Sequence, residues 1–200
     1  MKIAVSFCFL FLLLACGNSN SSGGSSNTTV VDLGGFTVEA LPGTAVQRAT
    51  KKDNAGVLLE EGKVLDGKRF GTWVTFHTSN NRIKTITSYV EGLKSGRYME
   101  MNDRGQVELE ANYTNDVLDG PWIKYKYGSR KSKEVLYKMG VIDEYYREYH
   151  NNGKLMKDIQ YTNGKMNGYF KQFDDKEKLL MQYEYRDGEK VSGGIAAPEE

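Results

Sequence analysis

The residues capable of chemistry are few and far apart. The chain has two histidines, His77 and His150, 73 residues apart. Each follows a pair of aromatics, in a slot filled elsewhere by Asn102, Lys126 and Asp174. Two copies of one turn-side slot do not converge on a metal, and zinc needs three or four ligands held together. Carboxylates are abundant, among them Glu108, Glu110, Asp116 and Asp174–Asp175. General acid–base work needs two of them in one cleft with separated pKa values. Here they alternate along extended segments or gather in turns, the pattern of a solvated face. Asn115, Asp116 and Asp119 share one turn but lack the calcium-loop pattern of an EF-hand. The chain contains no Gly-x-Ser-x-Gly elbow, no P-loop and no dinucleotide fingerprint. These readings give no catalytic residue, no metal and no cofactor, and the expectation is a protein that is not an enzyme.

Charge narrows the partners. Lys and Arg number 27 against 26 Asp and Glu. A nucleic-acid binder is strongly basic, so none is expected. The densest positive run is Lys124, Lys126, Arg130, Lys131 and Lys133. It suits an anionic lipid or surface polymer, or a solvated edge that discourages strand-to-strand aggregation.

The elements that position these residues repeat. Tyr89, Tyr113, Tyr137, Tyr161 and Tyr185 are each 24 residues apart. A glycine three residues later recurs at Gly92, Gly140, Gly164 and Gly188, with Asp116 in its place once. A second glycine recurs at Gly71, Gly96, Gly120 and Gly168, with Glu144 in the fourth copy. Two residues on is an aromatic: Trp73, Tyr98, Trp122, Tyr146 or Phe170. Three further is Phe76, Met101, Tyr125, Tyr149 or Phe173. Before each tyrosine the chain alternates, as in Val107, Leu109, Ala111 and Tyr113 against Glu108, Glu110 and Asn112. Alternation puts one face in a core and the other in water. Asn-Gly-Lys at 152–154 and 163–165 marks turns. The expected fold is all-β, an antiparallel β-meander or open single-sheet solenoid of about five 24-residue hairpin repeats. One hairpin is marginal alone, so the stacked copies share a core. Each buried aromatic contributes about 1.5–3 kcal/mol. The tyrosines end strands on the buried face. The two aromatics three residues apart do not fit a flat strand, whose side chains alternate. Either the strand bulges at the glycine, or one column faces away from the core. If Trp73, Tyr98, Trp122, Tyr146 and Phe170 are exposed, they form a ladder of flat platforms for a protein or glycan. If buried, they are core.

Residues 1–15 read as an export signal, with Lys2 ahead of an apolar stretch from Ile3 to Leu14 that is too short to span a membrane. The end of this segment, Leu13-Leu14-Ala15-Cys16-Gly17, resembles the lipobox of bacterial lipoproteins. That resemblance implies cleavage before Cys16 and its acylation, with the lipid bilayer as partner. Several acyl chains on one residue make a stable anchor, whereas a single chain is marginal. Cys8 then leaves with the signal and no free thiol remains. Residues 17–29 hold only Gly, Asn, Ser and Thr. They read as a flexible tether, continuing 16–29, with a reach of roughly 20 Å. Residues 30–61 read as a degenerate N-terminal cap, 62–192 as the repeat domain and 193–200 as a disordered tail. No acidic residue follows Cys16 closely, and the expected location is the cell envelope, the outer membrane ahead of the inner.

The repeat, with its Gly-x-aromatic-x-x-aromatic strands, Asn-Gly-Lys turns and closing tyrosine, resembles the MORN-repeat-variant family, which includes chains labelled YwqK-type antitoxin proteins. The resemblance covers about residues 62–190. It implies an antiparallel meander with interaction roles and no catalytic residues. Asp116, Glu144 and the GSRKSKE stretch at 128–134 depart from the pattern and imply local distortion. Together the readings favour a membrane-anchored envelope lipoprotein whose sheet binds or scaffolds a protein or glycan. The alternatives are an immunity or antitoxin-like protein acting at the envelope and, behind it, a hydrolase of envelope polymer.

Overall fold

The computed structural model describes residues 33–126 and 128–196. Cys16, the signal, the tether and the last four residues lie outside them. Fifteen strands form one open antiparallel sheet. Three strands lead in: β1 (Phe36–Ala40), β2 (Gln47–Lys52) and β3 (Leu58–Leu65). The repeats follow as β4 (Lys68–Phe76), β5 (Ile83–Val90), β6 (Leu93–Met101), β7 (Val107–Thr114), the short β8 (Val117–Leu118) and β9 (Gly120–Lys126). They continue as β10 (Arg130–Lys138), β11 (Val141–Tyr149), β12 (Leu155–Thr162), β13 (Lys165–Phe173), β14 (Leu179–Arg186) and β15 (Glu189–Ile195). Each strand pairs with its sequence neighbours, so the spatial order is the chain order, with β8 a spur on β7. The expected meander of hairpin repeats is the fold. β15 runs past residue 192, where the tail was expected, because Gly193, Gly194 and Ile195 still pair with Tyr183, Gln182 and Met181.

Two kinds of turn alternate. After each tyrosine comes a two-residue hairpin with both central residues at positive φ, as in Glu91–Gly92 (51° and 86°) and Asn163–Gly164 (50° and 80°). This type I′ geometry matches the strand twist. Asp116, in place of glycine, keeps the conformation at φ 66°. The amide of this residue donates to the preceding repeat: Gly92 N to Arg69 O at 3.0 Å, Asp116 N to Lys94 O at 2.9 Å, Gly140 N to Leu118 O at 2.8 Å. At the opposite ends of the strands, side chains reach the following repeat. His77 Nε2 lies 2.9 Å from Met101 O, and His150 Nε2 lies 3.0 Å from Phe173 O. Asn80 and Asn152 donate to Asp103 O and Asp175 O. Both rims of the array are therefore laced from one repeat to the next.

The period of 24 contains a bulge. Thr87 pairs with Tyr98 and Tyr89 with Lys94, so β6 carries two more residues than β5 over that interval. The same surplus occurs between Val135–Tyr146 and Tyr137–Ile142, and between Ile159–Phe170 and Tyr161–Met166. The surplus centres on the second glycine, at φ 100° in Gly96 and 107° in Gly168. Glu144 takes the same place at φ 68°, so this departure from the pattern strains one residue and leaves the repeat intact. A left-handed conformation costs a side chain about 1–2 kcal/mol. Glu144→Gly is accordingly expected to stabilise the fold by about 1 kcal/mol, read as a higher denaturation midpoint with unchanged circular dichroism.

Candidate functional site

The pairing register puts the aromatic ladder on one cross-strand row. Thr87 faces Trp73 and Tyr98, Val135 faces Trp122 and Tyr146, and Ile159 faces Tyr146 and Phe170. A companion column runs between the rings: Thr87, Ala111, Val135, Ile159 and Tyr183, again 24 residues apart. Rings from both neighbouring strands close over the small members, leaving Ala111 at 1% and Val135 at 2% exposure in a single-layer sheet.

The tyrosine column lies on the same face, two residues beyond the companion column on β5, β7, β10, β12 and β14. Trp73 and Tyr89 meet edge-to-face at 6.3 Å, and Tyr98 and Tyr113 at 6.1 Å. Tyrosines and ladder thus form one surface. The second aromatic column turns the other way. Tyr146 OH donates to Glu148 at 2.5 Å on the ladder face. Tyr149 OH donates to Glu134 at 2.8 Å, and Glu134 neighbours the ladder-face residue Val135 and so points away. Both outcomes open in the sequence occur together: the strand bulges at the glycine, and the column three residues on faces the opposite side.

The ladder is not uniform. Trp73 is 1% exposed. Ala49, Val64, Leu33, Phe36, Val38 and Tyr89 surround it, and its Nε1 donates to Lys63 O at 2.9 Å. Arg69 lies over its ring at 3.9 Å while bonding Glu60 at 2.5 Å. Trp73 is core and cannot serve as an open platform. Tyr98, Trp122, Tyr146 and Phe170 are half-buried, so part of each ring is open to solvent. Lys94 and Lys133 stand over Tyr98 and Tyr146 at 5.8 and 4.6 Å, close enough for cation–π attraction.

A polar row runs beside the rings. It contains Glu100, Lys124, Lys133, Glu148, Lys157 and Gln172, in register across the strands. Burial together with the neighbouring Glu100 carboxylate pushes the Tyr98 hydroxyl up to about 12. Burial opposes ionisation of Glu148, but hydrogen bonds from Tyr146 and Lys157 outweigh it and hold the carboxyl below its usual range. Glu148 also takes ion pairs from Lys133 at 3.6 Å and Lys157 at 3.1 Å. The opposite face differs. Its charges close on one another across strands as Arg48–Glu61, Arg97–Glu110 and Arg147–Asp158 at 2.6, 3.0 and 3.0 Å.

The histidines, Asp116 and Asp174 lie in separate turns, each with a hydrogen-bond partner. The two histidines bond backbone carbonyls of different repeats. Asp116 accepts the Lys94 amide at 2.7 Å, and Asp174 accepts those of Lys176 and Lys178. Among the described residues no group of three or more His, Cys, Asp or Glu is placed to hold a metal, and no helix is long and apolar enough to cross a membrane. The basic run divides between faces: Lys131 pairs with Glu134 at 3.1 Å, while Lys124 and Lys133 stand beside the ladder.

No family model matches the chain, and no curated protein matches it. Among solved structures it is similar to one titled "Crystal structure of GtfA/B complex bound to UDP and GlcNAc", at 11% identity and a TM-score of 0.20. The match covers 74% of this chain and 24% of that one. A likeness that slight carries no argument about fold or function.

Proposed function

We propose that the chain is an envelope lipoprotein of the MORN-repeat-variant kind, anchored through acylated Cys16, whose sheet is a binding or scaffolding surface for an envelope protein or glycan. Residues 1–15 act as the signal, 16–29 as the tether and 30–61 as the cap. The observation that carries the binding role is the half-buried run of rings on one face, renewed by each repeat at Tyr98, Trp122, Tyr146 and Phe170. Exposed aromatics are enriched where proteins meet partners. The lipobox and tether support the location, because together they hold a folded domain near a bilayer without pressing it into the lipid.

Two measurements test the reading. Cys16→Ala is expected to move the protein from the membrane fraction to the soluble fraction, or to leave an uncleaved precursor. Retention of a processed, membrane-bound Cys16→Ala protein would remove the anchor. Affinity capture from the solubilised envelope is expected to recover a partner that Trp122→Ala loses. Equal recovery by that variant would remove the ladder face as the binding surface.

A further inference from the structure

We propose that the ladder face between β9 and β13 binds an extended β-linked polysaccharide bearing a carboxylate on each disaccharide, laid across the strands with one disaccharide per repeat. This rests on the ladder face being the binding surface. Trp122, Tyr146 and Phe170 stand on every second strand in one register. Neighbouring strands are 4.7–4.9 Å apart, so successive rings are about 9.5 Å apart. An extended β-linked chain turns each sugar over relative to the last, so the same C–H face recurs once per disaccharide at a closely similar distance. Those C–H groups carry slight positive charge and suit the negative face of an aromatic ring. A ligand with a period fits a surface with a period.

Charge selects the acidic form. The row beside these rings holds Lys124, Lys133 and Lys157 against Glu148 alone, three positive charges to one negative. Lys124 and Lys133 are direct cross-strand partners, and like charges placed so destabilise a sheet. Glu148 already pairs with Lys133 and Lys157, so a ligand carboxylate beside Lys124 adds the negative charge that the row lacks. The opposite face, neutralised by its own cross-strand pairs, offers no such excess.

The test is calorimetric titration of the detergent-solubilised full-length protein with hyaluronan oligosaccharides of increasing length. Hyaluronan is β-linked, with one carboxylate per disaccharide. Neutral cellohexaose and polyglutamate serve as controls. Affinity is expected to rise with each disaccharide up to the hexasaccharide and then level off, with cellohexaose and polyglutamate each at least tenfold weaker. Trp122→Ala should weaken the hexasaccharide about tenfold. The double variant Lys124→Gln, Lys157→Gln lies outside the core, keeps the test readable if Trp122→Ala unfolds the repeat, and should weaken it as much. Polyglutamate binding as tightly as the hexasaccharide, affinity independent of length, or no sugar binding would each overturn the proposal. If the sugars fail while Trp122→Ala still loses a captured partner, only the ligand class falls. If Trp122→Ala changes neither, the ladder face falls as a binding surface too.

Discussion

Trp73→Ala is expected to cost about 3–5 kcal/mol, the range for emptying a buried aromatic site. The ring is the largest fully buried side chain of the described residues and the centre of the cluster formed by Ala49 and Val64. Its loss removes the edge-to-face contact with the Phe36 ring at 5.8 Å and the ring that Arg69 covers at 3.9 Å. Because each strand touches only its neighbours, damage in such an array is felt locally. Hydrogen exchange should therefore show lost protection in β1 to β5 and near-normal protection in β10 to β14. A loss below about 1 kcal/mol, or uniform loss of protection across the sheet, would contradict this account of the core.

Gly62→Ala attacks the same site by filling it. A Cβ on Gly62 would sit 2.2 Å from the Trp73 ring. The obstacle is a rigid indole held between strands, so the ring must swing out and break its bond to Lys63 O. We expect a cost of about 3 kcal/mol, the upper end for overpacking. The double variant Gly62→Ala, Trp73→Ala should cost clearly less than the sum of the two, since the methyl then occupies space the ring has vacated. Denaturant midpoints of the four proteins measure that coupling. Strict additivity would mean that the two residues do not oppose each other.

These effects mark what could be read from the sequence. The 24-residue tyrosine spacing, the alternation ahead of each tyrosine and the glycine-bearing turns are local signals, and they specify an antiparallel meander. The faces were harder to read. Trp122 and Tyr125 are three residues apart, and the side each takes depends on which residues the bulge at Gly120 absorbs, a matter of pairing between strands. The companion column from Thr87 to Tyr183 keeps the same period but not the same residue type, so its burial shows only once rings flank it. Asp116 and Glu144 looked like defects because their types changed, yet their backbone angles are those of the glycines they replace. His77 and His150 looked like idle surface groups. Each holds a carbonyl of the next repeat, a contact the sequence distance of 24 and 23 residues hides. Burial of Trp73 depends on Phe36 and Val38, which belong to no repeat.

The chain-ordered sheet has a mechanical consequence. Its described ends lie on opposite edges, β1 and β15, separated by thirteen strand intervals or about 60 Å. A pull between them acts along the inter-strand hydrogen bonds, which run perpendicular to the strands. Every ladder then bears the load in series, and none is sheared along its length. Such a sheet opens like a zip, one strand at a time, at low force and over a long extension. The rim bonds from repeat to repeat act as stitches that must part at each step, so the array yields gradually where a two-layer fold would snap.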